Sequence, residues 1–232
     1  MKYMGSKNRI SKYIIPIMKE FREEGQFWVE PFVGGGNSID KVEGNRIGGD
    51  INKWAINGLI SIRDYLEFLP KNNLEFTEED YKQLYEKDSY PFKGYAGFVF
   101  SYGGKWMGGW ARDKNKQRDY VAEAYRNAKK QSPKLKDVKL LTVNYNNLPI
   151  PKNSIIYCDP PYKNTTKYQE SINYKHFYSW CLEKAKEGHT IFLSEYEAPD
   201  MFECIWEKEV NSSLTQDTGS KKNREKLFRL II

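Results

Sequence analysis

The chain of 232 residues carries 37 Lys and Arg against 31 Asp and Glu, a net charge of +6, and 39% of its residues are apolar. At roughly 150 residues per domain, this length allows one full domain and a sizeable insertion, and the apolar share excludes an intrinsically disordered chain. No stretch approaches the roughly 18 apolar residues of a membrane helix, and the first residues lack the apolar region of a signal peptide, so we expect a cytosolic protein. The three cysteines form no Cys-x-x-Cys pair, unlike those of a disulfide framework or a zinc site.

Five short apolar segments, each bounded by Gly, Pro, Asn or Asp, predict buried strands. They are residues 27–33, 46–51, 138–143, 154–158 and 190–193. Helical patterns lie between several of them, at 10–18 and 177–182, and this alternation predicts an α/β fold with a parallel sheet. Pro16 falls inside the first helical pattern and predicts a kink or an early end there. Segments 204–210 and 226–232 are strand-like with no helix between them, which indicates an antiparallel hairpin at a sheet edge.

A glycine-rich turn follows the first predicted strand. Three glycines stand where the strand turns toward a helix, in the sequence Glu30-Pro31-Phe32-Val33-Gly34-Gly35-Gly36-Asn37. Glycine lets a ligand approach the backbone closely, but the spacing is not that of the G-x-G-x-x-G dinucleotide pattern. From these residues alone, a small-molecule site and an ordinary tight turn are equally supported.

An acid closes the second predicted strand. Asp50 stands 16 residues beyond Gly34, and an acid in this place holds ribose hydroxyls in nucleotide-binding α/β folds. The same residue could instead cap the helix that begins near Lys53. Taken together, the glycine turn and Asp50 favour a cofactor that contains a nucleoside.

The fourth predicted strand runs directly into Asp159-Pro160-Pro161-Tyr162. Two consecutive prolines fix the backbone and donate no backbone hydrogen bond, so the turn presents the Asp159 carboxylate and the Pro160 carbonyl as acceptors beside an aromatic ring. These acceptors suit a flat group that carries N–H donors, such as the exocyclic amine of a nucleobase. A plain Pro-Pro turn is the alternative.

Residues 66–136 break the alternation of strands and helices. They contain a helix start at Thr77-Glu78-Glu79-Asp80, a glycine and aromatic stretch at 101–110, and a charged helix. We therefore predict a mainly helical insertion in this region.

The positive charge of the chain is concentrated in and next to this insertion. Lys105 to Lys139 holds eleven basic and four acidic residues, a local excess of seven, so the rest of the chain sums to about −1. Such a field favours nucleic acid as the partner, although Lys-rich helices are also common as solvated faces. Because Lys105 and Trp106 stand among glycines, the 101–110 stretch indicates a loop that approaches phosphates and stacks on bases.

Together these motifs resemble those of the Dam-type, adenine-specific DNA methyltransferases, and the resemblance covers nearly the whole chain. Residues 159–162 match the family's Asp-Pro-Pro-Tyr motif, residues 30–36 match its Glu-Pro-Phe-x-Gly-x-Gly motif, and Asp50 matches its acid after the second strand. Residues 2–7 are similar to its N-terminal Lys-aromatic-x-Gly-Gly-Lys motif, with Tyr3 where the family often has Trp and Ser6 where it often has Gly.

The resemblance implies a Rossmann-like methyltransferase sheet, mostly parallel with a C-terminal antiparallel hairpin, and a mainly helical DNA-recognition insertion. The catalytic domain would comprise residues 1–65 and 137–232, and the target-recognition insertion residues 66–136. The implied cofactor is S-adenosylmethionine, with S-adenosylhomocysteine as product and no metal. The cofactor-binding residues implied by the motifs are Tyr3, Lys7, Phe32, Gly34, Gly36, Asp50 and Asp159.

The implied reaction methylates the N6 amino group of an adenine that is flipped out of double-stranded DNA at a short specific sequence. Asp159 and the Pro160 carbonyl would accept the amino hydrogens, while Tyr162 stacks on the base; these three are the implied catalytic residues. We expect Tyr168 and residues 171–174 to form a flap over the base. The residues expected to contact DNA are Lys105, Trp106, Arg112 and Arg118.

Three alternatives stay open at this point. Cytosine N4 carries the same donors as adenine N6, RNA could replace DNA as the substrate, and a DNA-binding protein could keep the fold without turnover. The resemblance itself implies a cytoplasmic enzyme, prokaryotic or phage-encoded, and leaves a restriction-modification role and an orphan or phage role both open. It implies neither a membrane nor an obligate protein partner.

Overall fold

The computed structural model describes residues 1–113, 115, 117–162, 172–211 and 222–231, and within them seven strands form one sheet. The strands are β1 Trp28–Glu30, β2 Arg46–Asp50, β3 Val138–Thr142, β4 Ile155–Cys158, β5 Thr190–Glu195, β6 Phe202–Asn211 and β7 Lys222–Leu230. The α-helices are α1 Ser11–Lys19, α2 Lys53–Asp64, α3 Glu78–Gln83, α4 Lys93–Val99, α5 Tyr120–Leu135 and α6 Tyr174–Lys186.

The strands lie in the order β3-β2-β1-β4-β5-β7-β6. Neighbours among the first five strands pair in parallel, whereas β7 runs antiparallel to both β5 and β6. The expected α/β class, with a mostly parallel sheet and a C-terminal antiparallel hairpin, is therefore confirmed. The strand order reverses between β1 and β4, which makes this junction the topological switch point of the sheet.

Helices cover both faces of the sheet, as the burial of the parallel strands requires. On one face, Trp28 and Ile155 share a core with Ile14 of α1 and Leu59 of α2. On the other face, the alternate strand residues Val29, Ile156 and Cys158 share a second core with Phe177 and Trp180 of α6. The period of two residues along each strand thus divides β1 and β4 between the two cores.

Helix α1 continues through Pro16 and ends three residues later, at Lys19. Of the two expected effects of Pro16, a kink or an early end, an end at this residue is not observed. Proline removes one hydrogen bond to the carbonyl four residues before it, here that of Lys12. Because Lys12 and Pro16 are both exposed, water can satisfy this carbonyl.

The segment 66–136 contributes α3, α4 and α5, and side chains of all three belong to the same core as α1 and α2. The predicted helix start at Thr77 is confirmed, because the Thr77 hydroxyl and the Asp80 carboxylate form a capping box at the beginning of α3. Among the described residues, none of the helices has the length and apolar character needed to cross a membrane.

Candidate functional site

Two of the motif-bearing turns meet at the switch point of the sheet. In the parallel register, Trp28 lies opposite Ile155 and Val29 opposite Ile156, so β1 and β4 end at the same edge. The glycine turn leaves β1 and Asp159 follows β4 at that edge. Open α/β sheets bind ligands in the crevice outside the strand ends at this junction, which makes it the candidate site.

The glycine turn is packed against the N-terminal residues of the chain. Gly34 and Gly36 have positive φ angles of 46° and 65°, a conformation that favours glycine. A Cβ on Gly34 would lie 3.0 Å from Cε1 of Tyr3, and one on Gly35 would lie 2.8 Å from the carbonyl oxygen of Met1. The close approach that these glycines permit is therefore occupied in part by the chain itself, and Tyr3 lies directly on the turn.

Asp50 joins the ends of β1 and β2. Its two carboxylate oxygens accept hydrogen bonds from the backbone N–H of Gly34 and of Asn52, each at 2.9 Å. The N-cap of α2 is Asn52, whose side chain accepts from the N–H of Trp54 at 3.0 Å, so Asp50 is not the cap. Burial raises the pKa of Asp50 to about 6, although the two backbone hydrogen bonds lower it.

The third cluster joins Lys7 to the end of β4. The Lys7 ammonium lies 2.9 Å from Oδ1 of Asp159 and 3.9 Å from Oε2 of Glu225. It also lies 4.3 Å from the centroid of the Tyr162 ring. A cation is thus held between two carboxylates and an aromatic face, and its side chain is only 8% exposed.

The charges of this cluster are strongly coupled. Burial, together with the negative charges of Glu225 and Glu195, raises the pKa of Asp159 to about 6 against the opposing effect of Lys7. For Lys7, burial lowers the pKa, but the attraction of Asp159 and Glu225 is greater in sum and the pKa is raised. Lys7 therefore stays protonated, while Asp159 changes charge around pH 6.

Tyr162 is held in place through both its hydroxyl and its ring. Its hydroxyl donates to Oε2 of Glu225 at 2.8 Å, and its ring meets that of Tyr196 edge to face, with centroids 4.6 Å apart. Pro160 is buried beside it. Of the predicted flap, Tyr168 and Ser171 lie outside the described residues, whereas Tyr174 begins α6 and donates its hydroxyl hydrogen to Oε1 of Glu195 at 2.8 Å.

Phe32 lies in a different environment from the other predicted cofactor-binding residues. Its ring packs against Tyr145 and Phe177, with centroid distances of 5.4 and 5.6 Å. These rings belong to the core beneath α6. The side chain of Phe32 thus contributes to packing there, while its backbone lies in the turn.

Trp106 does not present a free ring for base stacking. It stacks on Trp54, with centroids 5.4 Å apart and planes 13° apart, and it also packs against Phe98. The ammonium groups of Lys53 and Lys93 also lie 4.6 and 5.3 Å from the centroid of the Trp54 ring. The ring is thus packed against Trp54 of α2 and Phe98 of α4, which argues against the expected role of Trp106 in base stacking.

The neighbouring cations differ in how they are paired. Arg112 forms an ion pair with Glu78, and Arg118 forms one with Glu123. Lys105 is exposed. Among the described residues, the exposed cations of α5 form no ion pair; they are Arg126, Lys129, Lys130 and Lys134. Their spacing places them on one stripe of the helix, opposite the buried stripe that contains Val121, Ala124 and Ala128.

Sequence reasoning missed two residues of this site. Gln131 of α5 is buried and donates to the carbonyl oxygens of Gly35 and Gly36 at 3.1 and 3.2 Å. A polar residue in the buried stripe of α5 is a signal that could have revealed it. Glu225 gave no comparable signal, because it is one of many charged residues in the hairpin.

Comparison with known proteins finds a distant structural match. No family model matches this chain, and no curated protein matches it. Among solved structures, the chain is similar to SMU.472, a candidate methyltransferase complexed with SAH, at 10% sequence identity and a TM-score of 0.39. The match covers 99% of this chain and 54% of that chain, so this chain spans about half the length of its neighbour. The fold assignment stands on the observed strand order.

Proposed function

We propose that the protein transfers the methyl group of S-adenosylmethionine to the N6 amino group of an adenine in DNA. The observation that carries this proposal is the meeting of the glycine turn and the Asp159–Tyr162 turn at the switch point, with an ammonium already bound between Asp159 and the Tyr162 face. A site that holds a cation against a carboxylate and a ring also suits a nitrogen on which positive charge develops.

The residues at the edge of the sheet fit the cofactor. Asp50 accepts two backbone hydrogen bonds, and because a carboxylate has about four acceptor positions, it can still accept from ribose hydroxyls. The turn at Gly34 to Gly36 would hold the methionine part, beside Tyr3 and Lys7. When bound, S-adenosylmethionine supplies a methyl group already activated on a sulfonium.

The protein's own part in the reaction is then placement of the base. The adenine amine is a weak nucleophile, since its lone pair is delocalised into the ring, and the base must leave the helix stack to be reached. The Asp159 carboxylate and the Pro160 carbonyl would accept the two amino hydrogens, while Tyr162 stacks on the ring. These hydrogen bonds strengthen as the nitrogen becomes positive. Asp159, with its pKa near 6, can then take the proton that the nitrogen releases.

The unpaired cations of α5 support DNA as the partner. A polyanion gains most from cations that have no intramolecular partner, because no ion pair has to be broken on binding. The stripe from Arg126 to Lys134 has this property, whereas Arg112 and Arg118 are paired. We place the principal phosphate contacts on α5 and give Arg112 and Arg118 a smaller share.

The test is incubation of the purified protein with duplex DNA and S-adenosylmethionine, followed by nucleoside mass spectrometry and sequencing of the modified positions. We expect N6-methyladenine at a short recurring sequence. N4-methylcytosine would contradict the choice of base. Methylation of RNA alone would contradict the choice of substrate, and the absence of any methyl transfer by protein that binds S-adenosylhomocysteine would overturn the proposal.

A further inference from the structure

The hairpin formed by β6 and β7 reaches the candidate site. In the antiparallel pairing of β5 with β7, Lys226 lies opposite Glu195, the last residue of β5. Glu225 therefore lies beyond the end of β5, at the same edge of the sheet as the turn that follows β4. Its side chain is only 16% exposed, so this carboxylate belongs to the interior of the site.

Glu225 touches two groups on which the proposed chemistry depends. Its Oε2 atom accepts the hydroxyl hydrogen of Tyr162 at 2.8 Å and lies 3.9 Å from the ammonium of Lys7. The same ammonium pairs with Asp159 at 2.9 Å. One carboxylate thus fixes the far end of the Tyr162 ring and shares the cation that faces Asp159.

We propose that Glu225 is a positioning residue for methyl transfer, which anchors Tyr162 for stacking on the target base and shares the ammonium of Lys7 with Asp159. This inference rests on the proposed function. A tyrosine ring held by its hydroxyl can rotate less, so less freedom is lost when a base stacks on it. The negative charge of Glu225 opposes ionisation of Asp159 and acts together with Glu195, while Lys7 favours ionisation.

Three variants separate these two effects. In Glu225→Gln, the amide oxygen can still accept from Tyr162 but the charge is gone. We expect kcat to fall only about two- to threefold, because the hydrogen bond from Tyr162 to a neutral amide is weaker than the one to a carboxylate. The acid limb of the pH–rate profile should move to lower pH, since the repulsion that raises the pKa of Asp159 is removed. In Glu225→Leu and in Tyr162→Phe, the hydrogen bond is lost, and kcat should fall roughly tenfold in each.

The double variant tests most directly whether the two residues act through one hydrogen bond. Because both single changes remove the same hydrogen bond, Glu225→Leu combined with Tyr162→Phe should cost little more than either alone. A second readout uses a duplex with 2-aminopurine in place of the target adenine, whose fluorescence reports the stacking of the extruded base without turnover. We expect Glu225→Leu and Tyr162→Phe to change this fluorescence by the same amount. Glu207→Gln is the matched control, because Glu207 lies on β6 in an exposed ion pair with Arg224.

The outcomes are distinguishable. If the wild-type protein transfers no methyl group to DNA, the proposed function fails and this inference fails with it. If the wild-type protein is active but Glu225→Gln leaves the acid limb in place, or the two losses add fully in the double variant, Glu225 has no positioning role. A shift of the acid limb in Glu207→Gln as large as in Glu225→Gln would also overturn the inference.

Discussion

The charged groups at the β1–β4 junction and those on the insertion are organised in opposite ways. At the junction, Lys7 is buried and shared by Asp159 and Glu225. On α5, the cations are exposed and form no ion pair with any described residue. Buried charges interact strongly because water does not screen them. Each exposed charge interacts only weakly with a partner, so many of them together are needed for a large effect. The junction is therefore suited to positioning reacting atoms, and α5 to attracting a polyanion.

The largest effect is expected at the junction, from Asp159→Ala. The variant loses the acceptor for the amino group, and removal of one preorganised group of this kind typically costs about 100- to 1000-fold in kcat. Methyl transfer to DNA by the folded variant, compared with the wild type, measures this loss. Asp200→Ala is the control, since Asp200 is an exposed residue before β6. Full activity of Asp159→Ala would remove Asp159 from the mechanism.

The next effect concerns Trp106, which the sequence assigned to DNA and the structure assigns to packing. Trp106→Ala should lower the free energy of unfolding by about 2–3 kcal/mol, because it leaves a gap against Trp54 and Phe98. Denaturant unfolding measures this change. DNA affinity of the folded variant should stay within about twofold of the wild type, and a loss of affinity without a loss of stability would restore the stacking role.

Removal of the α5 stripe should change the free energy of DNA binding rather than that of unfolding, and by a smaller amount. Replacing Arg126, Lys129, Lys130 and Lys134 by Gln should weaken duplex binding by roughly 10- to 100-fold at low salt. The slope of log K against log salt should fall by about three to four, since each phosphate contact contributes about 0.9.

The matched control for α5 replaces Arg112 and Arg118, which are already paired with Glu78 and Glu123. This pair of changes should alter the slope by less than one. A control effect equal to that of the α5 variant would show that intramolecular pairing does not decide which cations meet DNA.

The pH dependence follows from the junction as well. Activity needs ionised Asp159, whose pKa is raised to about 6, so kcat should fall about tenfold per pH unit well below pH 6. A pH–rate profile from pH 5 to 9, with single turnovers to isolate the chemical step, checks this limb. A kcat that stays constant down to pH 5 would contradict the assignment of this limb to Asp159.

The smallest expected effect is on stability. Burial raises the pKa of Glu30 to about 8, so the folded protein binds more protons than the unfolded chain, and stability falls as pH rises from the unfolded value toward 8. Glu30→Gln keeps an acceptor for the Trp28 indole, which donates to Glu30 at 2.9 Å. It should stabilise the protein at pH 8 by at least about 1 kcal/mol, a rise in Tm of about 2–4 °C, and have little effect at pH 5. Thermal unfolding at the two pH values tests this sign.

Much of the fold could be predicted because its signals are local. Short apolar segments bounded by turn residues gave the strands, and Thr77 to Asp80 gave the start of α3. The strand ends were also predictable, since the turns at Gly34 and Asp159 have distinctive compositions. The role of Pro16 was not, because whether a freed carbonyl can be hydrated depends on which side of α1 faces solvent.

The partners of the site residues could not be read from the chain. Glu225 and Lys7 are 218 positions apart, and the register of β5 with β7 places Glu225 at the edge of the sheet where Lys7 lies. The same holds for Trp106, whose neighbour Trp54 belongs to α2. The sequence showed that Trp106 lies among glycines, but not that the Trp54 ring stacks on it.

The hairpin contact at Glu225 also has a consequence for biosynthesis. The cluster draws on residues 7, 159, 162 and 225, so its contacts have a very high sequence separation and form late relative to local helices. A chain synthesised only through residue 162 contains the glycine turn and Tyr162 but not Glu225, the partner of the Tyr162 hydroxyl. The finished site therefore requires synthesis up to β7, and a chain that stalls before residue 225 lacks the anchored ring.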